Sequence, residues 1–429
     1  MSKEWQIPDG FSQVESKLTG VTVFAPVKQA IGPREKLLTY TCPRCGAVTR
    51  YDIAAGGVAC EHCGYVHSVQ AQTAGKAAEE HEFRVDVMEK ANHIQWTAGR
   101  KNLVCEQCGA VTSVPENAIS GTCSFCASNK IHIAEMPVEE LQPKYIIPFS
   151  VNLNQLKSIV SDWLGKGWFH PQSLSSSATV NSFRGVYLPF WTFDAEINAD
   201  WKALVGYERS ERYYDAGSKE WKTRTTIDWR WEDGQVSQNF DDVMIPGTRK
   251  VSQRILEEIQ PFDLNALQSF SPDFLAGWQA NHFDFSLQEA WDTAKDKMRE
   301  KNREACYADI PTHHVRNFSM YADFANETWR YIFLPVFLST YHFEEKKYQV
   351  MINGQTGEIA GQKPVEWWKI WAAIAASLSP GFLLLLIGLP LLLAGGIGIV
   401  PLILGFVLLV AGIIFSVSLY KKAVESEAE

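Results

Sequence analysis

Apolar and polar side chains alternate most clearly in FWTFDAEINADW, residues 190–201. Trp191, Phe193, Ala195, Ile197, Ala199 and Trp201 share one face, while Thr192, Asp194, Glu196, Asn198 and Asp200 share the other. Successive side chains of a strand point to opposite faces, so this spacing predicts a strand with one buried and one solvated face. WKTRTTIDWRW, residues 221–231, alternates in the same way. Trp221, Thr223, Thr225, Ile227, Trp229 and Trp231 are expected inward, and Lys222, Arg224, Asp228 and Arg230 outward. Turn formers at Asp215-Ala216-Gly217-Ser218 would join the two strands as a hairpin. Solvated cross-strand partners then account for Asp194, Glu196 and Asp200 without an acid–base pair.

Helical spacing replaces alternation elsewhere. Asn152 caps a run in which Leu153, Leu156, Ile159, Val160, Trp163 and Leu164 recur until Gly165 and Gly167 end it. Ser286 and Glu289 form a capping box ahead of a second stripe, Leu287, Ala290, Trp291, Ala294 and Met298. Ser271-Pro272 starts a short helix with proline at its first position. An internal echo runs through this region. Gly185-Val186-Tyr187-Leu188-Pro189-Phe190-Trp191 resembles Tyr331-Ile332-Phe333-Leu334-Pro335-Val336-Phe337, which suggests two similar halves, with each proline expected at an edge or a bulge. Asn353-Gly354 and Thr356-Gly357 mark turns between short strands near residue 360. Upstream, VTVFAPV at 21–27 reads as a strand, as does the alternation of Phe83, Val85 and Val87.

The pattern changes altogether near the C-terminus. From Ile370 to Tyr420 no residue is charged. About 20 apolar residues span a bilayer, so this run predicts two transmembrane helices, 368–393 and 398–420, folded back at Gly395-Gly396-Ile397-Gly398. Trp367, Trp368 and Lys369 at the entry, and Tyr420, Lys421 and Lys422 at the exit, are the aromatic and basic decoration of a cytoplasmic interface. Two spans return the chain to its starting side, which predicts soluble domains and both termini in the cytosol. Pro380 and Pro390 predict a kinked first span. No ionisable side chain lies inside either span to form an ion path.

Composition bounds the remainder. The 429 residues suffice for two or three domains, and 46% hydrophobic with 12% aromatic residues is a globular composition. A formal net charge of −9 argues against a protein built to grip a polyanion. MSKEWQIPDGFSQ has no basic start followed by an apolar core, so no cleaved secretory signal is expected.

Eight of the nine cysteines form four Cys-x-x-Cys pairs: Cys42/Cys45, Cys60/Cys63, Cys105/Cys108 and Cys123/Cys126. Cys-x2-Cys-x14-Cys-x2-Cys therefore occurs twice, and CGAVT follows the leading pair both times. Two such turns present four sulfurs that close a tetrahedral cage around Zn²⁺, so the spacing predicts two zinc ribbons, each with one structural zinc ion. Gly46, Gly64 and Gly109 follow the second cysteine of their pairs where the turn wants a residue without Cβ, and only Ala127 departs. His62 is expected to point outward. Thiolates without a secretory signal indicate a reducing compartment.

Catalytic constellations are not legible. Cys306 with His313 and His314 lacks a third group to orient it, and no phosphate loop, dinucleotide fingerprint or His-Glu-x-x-His is present. No enzyme is expected.

The order of these parts resembles bacterial membrane-anchored proteins with double zinc ribbons of the transcription-factor-IIB type, a group sometimes labelled as primosomal-helicase-like. The resemblance rests on the CxxCG knuckles, KYIIPF at 144–149, GVYLPFWTFDAEI, EIQPFDLNALQSFSPDFLAGW at 258–278, and INGQTGEIAGQKP at 352–364. It implies the eight cysteines as metal ligands and no catalytic residues. It also implies protein partners among membrane-associated scaffolds, including phage-shock and flotillin-like proteins in envelope stress.

The expected fold is multidomain: two small β zinc ribbons, an α+β domain with long antiparallel strands, and a C-terminal transmembrane α-hairpin. The expected divisions are a lead-in at 1–40, ribbons at 41–68 and 104–135, a connecting segment at 69–103, the α+β domain at 145–363, spans at 367–421 and an acidic tail at 422–429. The expected function is that of a non-enzymatic adaptor that docks protein partners at the inner face of the bacterial cytoplasmic membrane. The alternative is a membrane-associated nucleic-acid-binding protein. Self-association is left open.

Overall fold

A computed structural model describes residues 11–14, 23–26, 41–69, 71–83, 100–116, 118, 122–134, 141–171, 183–343, 346–395 and 398–427. The chain divides into two compact units, Met1–Thr39 and Tyr40–Glu429. In the first, Phe11–Val14 pairs antiparallel with Val23–Pro26, the strand expected within VTVFAPV. The second holds both cysteine modules, a large sheet and, among the described residues, five α-helices: α1 (Leu153–Gly165), α2 (Gln253–Glu258), α3 (Leu287–Asp309), α4 (Trp367–Gly395) and α5 (Ile399–Glu427). The second unit takes in residues 41–68, 104–135 and 145–363 together.

Three long strands make the centre of the sheet: Arg184–Asp215, Glu220–Pro246 and His314–Phe343. The first lies in the middle, antiparallel to the second on one edge and to the third on the other. Burial along this one strand follows its sequence pattern. Val186 to Phe193 are buried without interruption, because helices and loops cover both faces of the sheet there. From Ala195 to Val205 alternate residues are buried, beneath α3 on one face only. Beyond Tyr207 no described element covers either face, and the first two strands continue as a two-stranded arm.

The arm corrects one expectation. The turn at 216–219 pairs Asp215 with Glu220, which sets Val205 opposite Arg230, Ala203 opposite Glu232 and Trp201 opposite Gly234. Directly opposed residues share a face, so the core-side face of the second strand carries Arg230, Glu232 and Gly234. Trp221, Trp229 and Trp231 fall on the other face, and Trp221 and Trp231 are 65% and 57% exposed. Gly234 is needed here because a Cβ would meet the Trp201 indole at 2.7 Å. Salt bridges Arg224–Glu211 and Arg230–Asp228 dress the arm.

The helices start where their caps predict. Asn152 accepts from the Asn154 and Gln155 amides, and Ser286 with Glu289 closes a capping box. Leu287, Ala290, Trp291, Ala294 and Met298 are all buried. In α1 the buried stripe is Leu156, Val160 and Leu164, whereas Leu153 is exposed. Ser271 caps a 3-10 turn at Pro272–Leu275.

The two echoed segments pair with each other, Val186 with Val336 and Phe190 with Ile332. Each sits in the same setting. A short strand runs parallel to the residues two or three before the proline: Gln279–Asn281 beside Val186 and Tyr187, and Tyr145–Ile146 beside Ile332 and Phe333. A long antiparallel hairpin then begins at the residue after the proline. Each half also carries a capped helix after its short strand, α1 in one and α3 in the other. Pro189 and Pro335 are thus neither at a sheet edge nor at a bulge. Each falls where one neighbouring strand ends and the next begins, so its missing N–H interrupts no ladder. The proline carbonyls are still used, accepting from Gly247 (2.7 Å) and Gly354 (2.8 Å). A Cβ on Gly354 would lie 2.5 Å from the Phe149 ring and 2.9 Å from Pro335. Gly354→Ala is therefore expected to cost about 1–3 kcal/mol by overpacking, read as a lowered melting temperature. An unchanged melt would remove this contact from the core.

Helices α4 and α5 are long and apolar enough to cross a membrane. They pack closely through small residues: a Cβ on Gly381 would meet the Leu409 backbone at 2.7 Å, and one on Gly412 the Ser377 carbonyl at 2.7 Å. Ser377 and Ser416 share a hydrogen bond of 3.0 Å across the pair. The helices are anchored in the sheet domain rather than tethered to it. Phe169 packs with Val365, Ile370, Leu419 and Ala423. Lys363 donates from Nζ to the Trp163 and Lys166 carbonyls at the end of α1. Burial, with Lys166 adding, holds the Lys363 pKa down at about 8. The expected acidic tail is helical to Glu427, whose carboxylate accepts from the Val365 amide at 2.9 Å.

Candidate metal centre

Each cysteine pair sits in a tight knuckle closed by an amide of the residue after the second cysteine. Gly46, Gly64, Gly109 and Ala127 donate to the carbonyls of Cys42, Cys60, Cys105 and Cys123 at 2.8 to 3.0 Å. All four closing residues have positive φ, from 56° to 73°. Glycine adopts that conformation at little cost, and Ala127 takes it without glycine's freedom, so the four knuckles are alike despite the one departure in sequence.

The knuckles face each other in pairs. Sulfur–sulfur distances are 3.4 Å for Cys42–Cys63, 3.6 Å for Cys45–Cys60, 3.5 Å for Cys105–Cys126 and 3.7 Å for Cys108–Cys123. These are far beyond a disulfide at about 2.05 Å. They approach the edge of about 3.8 Å that a tetrahedron with zinc–sulfur bonds of about 2.3 Å requires. Within each group of four the sulfurs lie within 4.8 Å of one another, so both groups are geometrically suited to hold a metal ion such as zinc.

Backbone dipoles prepare part of the charge. Burial raises the Cys42 thiol, but amides of Arg44 and Cys45 outweigh it and bring it down to about 7. Cys105 falls to about 7 for the same reason, through Cys108 and Gln107. Their partners move oppositely. The Ala47 amide favours the Cys45 thiolate, yet burial and the neighbouring sulfurs push it up to about 12, and burial with the same crowding takes Cys108 to about 11. Four thiolates in so small a volume repel each other until a cation compensates them. A bound zinc ion would supply that charge, and with four sulfur ligands it would offer no open position to a substrate.

The two modules are embedded differently. The first forms its own three-stranded sheet, Arg50–Asp52, Gly57–Ala59 and Val66–Ser68, and packs on the body through Tyr51 and Val58 with Ile53 and Val69 beside them; the Tyr51 amide donates to the Ala276 carbonyl at 2.9 Å. Its Cys45 and His62 are exposed. The second extends the large sheet: Val111–Pro115 pairs with Gln279–Asn281, and Arg100–Cys105 and Ile131–Ile133 follow outward. Phe125, inside its second knuckle, is buried in the core, and Thr340 donates to the Phe125 carbonyl at 3.1 Å. Between the modules, His81–Glu82 pairs with the third long strand and Phe83 packs on the core, while Val85 and Val87 lie outside the described residues.

Other candidates separate. Cys306 is buried against Asn302 and Met320, and burial raises its thiol pKa, while His314 pairs with Glu208. Glu196 and Asp200 face solvent as expected, but their partners are the neutral amides of Asn326 and Gln235 rather than the Lys and Arg side chains of the second strand. Asp194 does not face solvent. It is largely buried beside Arg330, a residue the sequence signalled only as one charge inside the apolar run YIFLPVF and its approach.

No known family profile matches the chain, and no solved structure matches it. A protein of Bacillus subtilis (strain 168), named uncharacterized protein YdjG, is 23% identical over 363 residues, which span 84% of this chain and 99% of the relative.

Proposed function

We propose that the chain is a non-enzymatic adaptor held at the cytoplasmic membrane, with each four-cysteine module closed by a structural zinc ion and the soluble parts in the cytosol. The observation that carries this reading is the aromatic arm. Tyr214 and Trp221 are exposed on a two-stranded projection that runs roughly 30 Å past the covered sheet, at about 3.3 Å per residue, and Trp231 is exposed on the uncovered face just before it. Tyrosine, tryptophan and arginine dominate the energetics of protein interfaces, and the arm interleaves them with Arg209, Arg212 and Arg224. Anchoring of the sheet domain on α4 and α5 supports a role beside the bilayer. The basic residues flanking both spans support the cytosolic orientation. Kinship with membrane-anchored double-zinc-ribbon proteins would make the partner a membrane-associated scaffold of the phage-shock or flotillin-like kind.

Full-length protein should be purified from its own membranes in mild detergent, in nuclease-treated and untreated halves. A protein that remains bound after nuclease, and is lost when Trp221 and Trp231 are both changed to alanine with two zinc ions per chain retained, is the expected result. Partners that leave with nucleic acid would replace this reading by a nucleic-acid-binding one. Retention by the double variant would remove the arm as the docking element.

A further inference from the structure

The sheet is interrupted on both sides at two adjacent residues. Opposite Asp194, the second long strand carries an extra residue, with Asp242 at φ 57°, and opposite Ala195 the third carries another, with Asn326 at φ 53°. Paired bulges of this kind re-aim side chains, and β-bulges are frequent beside functional sites. Here they gather Asp194, Asp241 and Asp242 so that one oxygen of each lies within 4.8 Å of the others. Glu80, from the segment connecting the two cysteine modules, joins them through Thr328, whose hydroxyl lies 2.7 Å from Glu80 and 3.1 Å from Asp194 and donates its one hydrogen to either of them.

Arg330 does not balance this group. Its Nη2 bonds Asp242 Oδ1 and lies 3.3 Å from Glu80 but 4.0 Å from Asp194, while Nε and Nη1 donate to Thr192 and the Lys76 carbonyl. Three carboxylates lie within 4.0 Å of one guanidinium and Asp241 adjoins them, so that, with the Lys76 ammonium counted as well, the four carboxyl groups when ionised outnumber the nearby cations by two. The Asp242 side chain is only 8% exposed, and its Oδ2 is buried with no hydrogen-bond partner among the described residues. A buried, unpaired carboxylate oxygen is costly unless a cation or a proton meets it.

We infer that Asp194, Asp241 and Asp242 form a binding site for a hard divalent cation, Ca²⁺ or Mg²⁺, distinct from both cysteine cages. An all-oxygen donor set selects such ions over zinc. With Glu80 beside it, the bound ion would secure the connector between the modules to the sheet.

Zinc-loaded, full-length protein in detergent, freed of weakly held cations with EGTA, should be titrated with Ca²⁺ and Mg²⁺ by calorimetry and with Tb³⁺ by tryptophan-sensitised luminescence. One saturable site is expected, weakened about tenfold or more in both Asp241→Asn and Asp194→Asn, with zinc content unchanged. Asp241 is exposed, so Asp241→Asn tests the site without burdening the fold. No saturable binding at a few millimolar cation, the weak end for such sites, would overturn the inference. Binding that survives both substitutions would overturn it equally.

Discussion

Cys105→Ser or Cys126→Ser is expected to remove one of two zinc ions and to lower the melting temperature of the whole sheet domain by ten degrees or more. Cys45→Ser or Cys63→Ser should remove the other ion with a much smaller shift. A structural zinc site contributes about 10–16 kcal/mol to isolated fingers, and a loss of even half the lower figure, about 5 kcal/mol, equals the whole stability of a marginal domain. What differs is where that loss is felt. The second cage is closed by strands of the large sheet, and its knuckle places Phe125 in the core with Ala110 beside it. Without metal, that knuckle has no reason to hold its shape, and the sheet loses a flank. The first cage closes a small sheet of its own. Metal analysis and thermal melting of the four variants check this, and equal losses from both modules would contradict it.

Arg330→Met should cost about 3–5 kcal/mol, because it leaves the carboxylates of Asp194, Asp242 and Glu80 buried around no cation of their own. Arg330→Lys should recover little, since one ammonium cannot reach Thr192, Lys76 and Asp242 together as the guanidinium fork does. Adding Asp242→Asn to Arg330→Met should restore part of the loss. The sign of the pH dependence follows from burial, which raises the carboxyl pKa of Asp194 and of Asp242 in the folded state. A carboxyl with a raised folded pKa penalises the fold above that pKa, and the penalty fades as pH falls through it. The Arg330→Met deficit should therefore be larger at pH 8 than near pH 5, in melts followed by tryptophan fluorescence. A deficit below about 1 kcal/mol, or one that ignores pH, would show that the cluster is not held by this charge.

Much of the candidate site was legible because metal knuckles are local. The Cys-x-x-Cys spacing, and the residue that must follow it, lie within five positions, and the structure brings each set of four sulfurs together. The capping boxes at Asn152 and Ser286 were legible for the same reason. Buried stripes on α3 and on the first long strand also followed from periodicity. The second strand did not follow, although its alternation was equally clear. Alternation tells which residues share a face, and says nothing about whether anything covers that face. Register set by the turn at 216–219, together with the end of α3 at Asp309, left Trp221 and Trp231 outside.

The sequence by itself determined the cysteine knuckles, the helix caps, the apolar helices and the prolines that punctuate the two halves, since each depends on neighbours in the chain. Tertiary structure alone decided that the second cysteine module is part of the large sheet, that the echoed segments pair with each other, and that Asp194 meets Arg330, Asp242 and Glu80. Those outcomes depend on bulges, strand partners and side-chain contacts between residues up to 254 positions apart, as Arg330 and Lys76 are. Over such separations a one-residue change in register moves every side chain to the other face, and only the assembled sheet selects which register is kept.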